Sequence, residues 1–208
     1  MLNADILYYN YYGSIWKGVL GINIAVYCGA STGNNENFAF AAMELASWIT
    51  QNGHTLVYGG GRAGLMGIIA DEVLHQGGEV IGVIPVFLAD RERSHPNIQQ
   101  LEVVESMTDR KNRMIELADV FIALPGGPGT LEEIAEVISW ARIAQHEKPC
   151  ILMNVDGYYD SLRELFEQMV KCEFLEKDDL KIMMFTDSIQ ELEHYIENYE
   201  PIAAWKFR

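Results

Sequence analysis

The sequence predicts a single α/β domain built as a doubly wound, mainly parallel sheet with helices on both faces. Three observations carry this reading. Apolar runs of strand length alternate with segments of helical periodicity along nearly the whole chain. Runs such as NIAVYC (23–28), EVIGVIP (79–85) and PCILMNV (149–155) are almost continuously apolar rather than alternating, as expected of strands covered on both faces. Glycine-rich turns follow several of these runs and lead into the next helix, as βα connections do in such sheets.

The elements follow in order. The strand at 23–28 runs into the turn GASTGNNE, and helical spacing over 37–51 is stopped by Asn52-Gly53. HTLVY (54–58) is the second strand; GGGRAG leads from it into a helix over 65–76, ended by Gly77-Gly78. The third strand is 79–85, and an irregular charged stretch then runs to about residue 100. LEVVE (101–105) is a short strand and 108–117 a helix. VFIAL (120–124) is the next strand, and PGGPGT leads into a long helix over 130–145. PCILMNV (149–155), a helix over 159–172, the strand KIMMFT (181–186) and a helix over 188–198 complete the chain. Ser188 is placed to cap that last helix, with Glu191 completing a capping box. The pattern is Rossmann-like, and the folded unit is expected over 22–200, with a tail over 201–208.

Residues 1–21 contain four tyrosines but neither a basic leader nor a clean apolar run. They read as a peripheral arm rather than a secretory signal. They also fit an over-extended start, since Lys17-Gly18-Val19 can be encoded by AAAGGAGTN, a sequence like a bacterial ribosome-binding site.

With 208 residues, 49% hydrophobic and 22% charged, the chain can bury one sizeable core. Its formal net charge is −15, from 15 basic and 30 acidic residues. That balance excludes a basic face of the kind a nucleic-acid polymer requires. A small phosphorylated ligand remains compatible, because a few backbone amides and one arginine can hold it locally. Cys28, Cys150 and Cys172 are scattered, as are the five histidines, and none has metal-ligand spacing. No metal or cofactor is therefore expected, and reduced cysteines point to the cytoplasm. No apolar run has the length of a membrane span.

Three loops stand at the carboxyl ends of predicted strands: CGAST (28–32), YGGGRAGLMG (58–67) and PGGPGT (125–130). In a doubly wound sheet they share one rim, where ligands bind. Glycines let amides approach an anion, and a following helix adds its positive end. Tight turns explain any one loop equally well; several on one rim favour a small anion site. The candidate ligand-holding residues are Ser31, Gly60, Gly61, Gly126, Gly127, Gly129 and Thr130. Gly59, Gly61 and Gly64 satisfy GxGxxG, but no acidic residue closes the following strand before Asp90, which speaks against a dinucleotide site. A GxxxxGK[ST] loop is absent.

If Thr130 starts the long helix, Glu132 and Glu133 lie in its first turn, where the dipole favours ionised carboxylates. Adjacent side chains diverge by about 100° around a helix, so the two need not share a role. Charge complementarity to the helix end is the simpler reading for Glu132. The segment SMTDRKNRM (106–114) opens a helix with Arg110, Lys111 and Arg113, where the dipole disfavours cations. Arg110 or Arg113 can bind phosphate in a bidentate manner, although a solvated face explains the charges about as well.

PGGPGTLEE (125–133) fits PGGxGTxxE and MTDRK (107–111) fits MxxRK; CGAS, YGGG with GLMG, and KPCILMNVDGYYD (148–160) accompany them. In these motifs, over about residues 22–200, the chain resembles the LOG family. These are the cytokinin riboside 5′-monophosphate phosphoribohydrolases, whose bacterial members were long labelled lysine decarboxylases. The resemblance implies a catalytic pair at Arg110 and Glu133, a phosphate loop over 126–130, and substrate contacts from Lys111 and Glu92. It implies hydrolysis of the N-glycosidic bond of a purine or cytokinin nucleoside 5′-monophosphate, releasing the base and ribose 5-phosphate. Thr108, where plant members usually carry histidine, and Pro128, where they often carry tyrosine, bear on substrate preference. The family also implies a homodimer, consistent with the apolar residues Ile134, Val137, Ile138, Trp140 and Ala141 spread over the long helix. The alternatives are a non-catalytic nucleotide or molybdenum-cofactor carrier on the same fold, and a subunit whose nucleotide site only regulates assembly. Lysine decarboxylation does not fit: Lys111, on a charged helix start, is a poor Schiff-base lysine.

Overall fold

The computed structural model describes residues 21–89 and 94–201. All of the expected arm except Gly21, all of the expected tail except Pro201, and Glu92 lie outside the described residues. Seven strands form one sheet: β1 (Asn23–Tyr27), β2 (Thr55–Tyr58), β3 (Glu79–Pro85), β4 (Gln100–Val104), β5 (Val120–Ala123), β6 (Cys150–Met153) and β7 (Met183–Thr186). The helices are α1 (Glu36–Gln51), α2 (Gly64–His75), the short α3 (Val86–Ala89), α4 (Met107–Leu117), α5 (Pro128–Arg142), α6 (Asp160–Lys171) and α7 (Ile189–Glu197).

Every strand pair is parallel, in the order β4-β3-β2-β1-β5-β6-β7. The chain steps outward from β1 to β4, returns through α4, and steps outward again from β5 to β7. The order therefore reverses between β1 and β5, and a crevice opens at their carboxyl ends. Successive side chains on each strand serve opposite faces. Ile24, Val26, Val120 and Ile122 join α1, α2 and α7 in one core layer. Ala25, Tyr27, Phe121 and Ala123 join α4 and α5 in the other, with Leu162 and Phe166 of α6 packed against it. The continuously apolar strands are the direct consequence of this double covering.

The structure departs from the sequence reading at identifiable points. α5 begins at Pro128, with Gly127 as its N-cap, rather than at Thr130. Proline suits the first helical position, where its missing N–H and fixed φ cost nothing. Glu132 and Glu133 consequently fall in the second turn, beyond the reach of the helix end charge. α5 also stops at Arg142, where Ala144 takes a left-handed φ of 57°, instead of continuing to 145. Residues 181–182 belong to a 3-10 turn over Lys177–Ile182 rather than to the last strand. At α7, the Ser188 hydroxyl accepts the Glu191 amide as expected, but the Glu191 carboxylate takes the Thr186 hydroxyl at 2.6 Å, so the capping box is only half formed. Ile134, Val137 and Ile138 are spent on the core of this chain, which leaves Leu131 and Ile143 as the exposed apolar residues on and beside α5.

His146 secures the end of α5. Its ring nitrogens contact the Val137 carbonyl at 2.7 Å and the Lys148 amide at 3.2 Å. Nε2 therefore carries the proton and Nδ1 accepts, which fits a neutral imidazole only. Burial first, and then the Lys148 charge, lower its pKa to about 4. The unfolded chain, near the ordinary value of about 6.5, binds the proton more readily. The stability contributed by neutral His146 is thus complete above about pH 6.5 and is lost progressively as pH falls toward 4. Urea titrations from pH 7 to 4 should show the stability gap between wild type and His146→Gln narrowing across that window; a constant gap would remove this role.

Candidate active site

Backbone contacts lock the three glycine loops together at the crevice. The Gly29 amide, just after β1, donates to the Pro125 carbonyl, just after β5, at 3.1 Å. The Leu65 amide of α2 donates back to Gly29 O at 3.0 Å. These approaches require glycine. A Cβ on Gly64, whose φ is +61°, would lie 2.3 Å from the Ala30 carbonyl carbon and from the Ser31 amide. A Cβ on Gly126 would lie 2.2 Å from Thr130 Oγ1 and 2.9 Å from Gly29 N. Ser31 is thereby fixed on the rim, exposed, beside the start of α2.

α4 brings the catalytic candidate from the other direction. Ser106 caps it by accepting the Asp109 amide at 3.1 Å, which places Arg110 in the first turn as the chain returns from the sheet edge to its centre. Arg110 is 7% exposed and Glu133 8% exposed, and Nη2 lies 3.4 Å from Glu133 Oε1. Gly59 makes room for the guanidinium: a Cβ there would sit 2.2 Å from Arg110 Nη2. The Met107 sulfur lies 3.8 Å from Nη1, and the buried Nε has no hydrogen-bond partner among the described residues. A buried guanidinium with one long carboxylate contact and one thioether is under-supplied with acceptors, and it suits an incoming oxygen ligand. Burial first, then the Glu133 charge, hold the Tyr27 phenol and the Cys28 thiol well above their ordinary ranges. Both stay protonated at neutral pH, and neither is a nucleophile.

The remaining candidates divide. Gly127 and Gly129 have negative φ and open space where a Cβ would stand, so neither packing nor backbone conformation requires glycine there. The first intrahelical bond of α5 runs from Leu131 N to Gly127 O, which leaves the Gly129 and Thr130 amides without intrahelical acceptors. Thr130 itself is buried, with its hydroxyl against Gly126. Lys111 bridges Glu132 and Glu136, the latter at 3.1 Å, and so clamps α4 to α5. These carboxylates, Glu132 first, raise its pKa. Gly60 and Gly61 are buried and hold the segment after the undescribed residues: Gly60 O accepts the His95 amide at 2.9 Å, and Gly61 bridges Ser94. Glu92 lies outside the described residues. Among the described residues, no group of three or more His, Cys, Asp or Glu is placed to hold a metal ion.

Gly59, and the turn at 156–159, were given no role from the sequence. The run of three glycines was the available signal for Gly59. Asp156, at φ 51°, accepts the side-chain amides of Asn35 and Asn37 at 2.7 Å each. The Tyr159 hydroxyl donates to Leu124 O at 2.7 Å, and the Tyr158 hydroxyl donates to Gly126 O. The turn after β6 is thus tied to the start of α1 and to the loop after β5.

Comparison with known proteins gives a consistent result. The family described as "possible lysine decarboxylase" matches residues 66–196. The chain is 43% identical over 178 residues to the cytokinin riboside 5′-monophosphate phosphoribohydrolase LOG7 of Arabidopsis thaliana, covering 86% of this chain and 82% of that protein. It is 41% identical over 186 residues to the phosphoribohydrolase LOG of Oryza sativa subsp. japonica, covering 88% of this chain and 77% of that one. Among solved structures, the molybdenum cofactor carrier protein of Chlamydomonas reinhardtii superposes with a TM-score of 0.64 at 20% identity, over 86% of this chain and 98% of that one. At that identity the likeness establishes the fold alone.

The glycines of the 125–130 loop should separate by substitution. Gly126→Ala, which forces its Cβ against Thr130 and Gly29, should destabilise the protein by about 1–3 kcal/mol. Gly129→Ala, in open space at the second helical position, should stabilise it by roughly 0.5 kcal/mol. Denaturant unfolding of both variants checks the difference; equal losses would mean that both glycines are structural.

Proposed function

This chain belongs to the LOG family, and on that premise we propose that it hydrolyses the N-glycosidic bond of a purine or cytokinin nucleoside 5′-monophosphate. The products are the free base and ribose 5-phosphate. The observation that carries the reading is Arg110, 7% exposed, 3.4 Å from Glu133 and short of acceptors at the point where the strand order reverses. The amides of Gly129 and Thr130, at the positive end of α5, suit the 5′-phosphate. Anchored there, the phosphate positions the sugar for reaction. As the bond to the base breaks, its electron pair leaves with the base nitrogen, and C1′ gains cationic character. The Glu133 carboxylate stabilises that charge or orients the water whose oxygen bonds to C1′. Solvent protonates the departing purine and takes up the proton that the attacking water loses. Arg110 holds sugar or phosphate oxygens and keeps the carboxylate in place.

The name of the matching family suggests a decarboxylase, but the lysine beside the site, Lys111, is engaged by Glu132 and Glu136 and is unsuited to a Schiff base. Among the described residues, no helix is long and apolar enough to cross a membrane.

A homodimer belongs to the same proposal. Leu131 and Ile143 on the α5 side, with Leu165 and Phe174 on the α6 side, stand 45–77% exposed. α6 buries none of its residues fully, although its apolar stripe is well defined. A second copy covering these residues accounts for them. Light scattering at micromolar concentration should give about twice the 23.5 kDa chain mass, and a monomer would remove this part of the reading.

Glu133→Gln tests the chemistry. Its stability loss should exceed that of a helix-end charge and reach on the order of 1–3 kcal/mol, because Arg110 loses its buried counter-charge. Turnover of AMP should fall by orders of magnitude while AMP affinity stays within a few-fold. Glu132→Gln, which only loosens the Lys111 clamp, should keep most of the turnover. Near-normal activity of Glu133→Gln would overturn the assignment, as would equal rates on adenosine and AMP for the phosphate loop.

A further inference from the structure

We propose that Tyr158 is a positioning residue that aims the phosphate-holding backbone of the 125–130 loop, a role that rests on the substrate class proposed above. Three consecutive carbonyls after β5 are each tied back by a donor from outside the loop. Leu124 O accepts from the Tyr159 hydroxyl at 2.7 Å, Pro125 O from the Gly29 amide at 3.1 Å, and Gly126 O from the Tyr158 hydroxyl. In a trans peptide the carbonyl and the following N–H point in opposite directions. Fixing Gly126 O therefore turns the Gly127 amide away from Tyr158, on an exposed residue with open space where a Cβ would stand. That amide joins those of Gly129 and Thr130 as a third donor for the anion. Without the tether, the Gly126–Gly127 peptide is free to rotate, because neither neighbour carries a Cβ to restrict it.

Tyr158 is itself held. Its ring packs edge-on against Phe38 at 5.5 Å and against Tyr159 at 5.0 Å. The turn that carries it is anchored by Asp156, which grips Asn35 and Asn37 at the start of α1. Tyr158 as a whole is 44% exposed, so core packing does not explain a tyrosine here; its hydroxyl's partner is the loop carbonyl.

Tyr158→Phe keeps the ring contacts and removes only the hydroxyl. Calorimetry with ribose 5-phosphate should show binding about tenfold weaker than wild type, the size of one well-placed hydrogen bond. In turnover assays KM for AMP should rise by about the same factor while kcat changes less than threefold, and the slow turnover of adenosine should be unaffected. A loss confined to general stability would lower both substrates' rates together and would overturn the proposal. So would unchanged ribose 5-phosphate affinity, or a wild type that does not bind ribose 5-phosphate. Wild-type protein that binds ribose 5-phosphate but cleaves no nucleoside monophosphate would sink the hydrolase reading alone, leaving the calorimetric comparison to decide the role of Tyr158.

Discussion

The hydrogen bond from the Gly29 amide to the Pro125 carbonyl is the constraint on which the rest of the site depends. It joins the ends of β1 and β5, the two strands between which the chain changes direction across the sheet. For those loops to touch, Gly29, Gly64 and Gly126 must lack side chains, since a Cβ on any of them would lie within 3 Å of neighbouring backbone. Once the loops are locked, the start of α5 has a fixed position and direction. α4, crossing back beneath the sheet, then delivers Arg110 to Glu133. A doubly wound sheet supplies such a crevice for topological reasons; this sequence makes it narrow by placing glycine wherever backbones meet.

Arg110 and Glu133 are a poor choice for stability. Arg110 leaves water almost completely, and its 3.4 Å contact with Glu133 repays only part of that desolvation. Well-packed apolar residues would serve the fold at least as well. The same holds at Gly129, where alanine would favour the helix and no neighbour forbids it. These positions cluster at one end of the crevice, whereas the ion pairs that join elements elsewhere, such as Arg142–Asp179 and Arg113–Glu102, are short and only partly buried. Local sacrifices of stability gathered in one place mark a functional site.

The fold was legible because double covering leaves a direct trace: strands without polar alternation, separated by helical periodicity and closed by glycines. The carboxylates were harder. Proline at 128 fits both a turn and the first helical position, and Thr130 reads as the helix start because a threonine hydroxyl is common at that boundary. That hydroxyl instead lies against Gly126, and the helix starts two residues earlier, so the carboxylates sit beyond the helix end, Glu132 paired with Lys111 and Glu133 beside Arg110. Tyr158 and Asp156 fall in the motif KPCILMNVDGYYD, but nothing local in it shows what they touch. Their partners are 32 and about 120 residues distant in sequence, and only the closed fold brings them together. Arg110 and Glu133 were reachable through family motifs; Gly59 stands out in the sequence as one of three consecutive glycines, but its part in admitting the guanidinium shows only in the contact it avoids.

The site divides into two kinds of donor with different demands. Backbone amides at the start of α5 are fixed in direction, carry no net charge and cannot titrate, which suits a group that stays the same throughout the reaction. Arg110 and Glu133 are charged side chains held in a buried site, which suits atoms whose charge changes. Arginine is apt here because its planar fork keeps several donors available even while one faces the carboxylate. Lys111, one helical position away, is instead taken up by two carboxylates, Glu132 and Glu136. Neighbouring cations on one helix thus meet opposite fates. Lys111, with two acidic partners on α5, holds the helices together. Arg110, facing a long contact to one carboxylate and a thioether, keeps unused donor capacity.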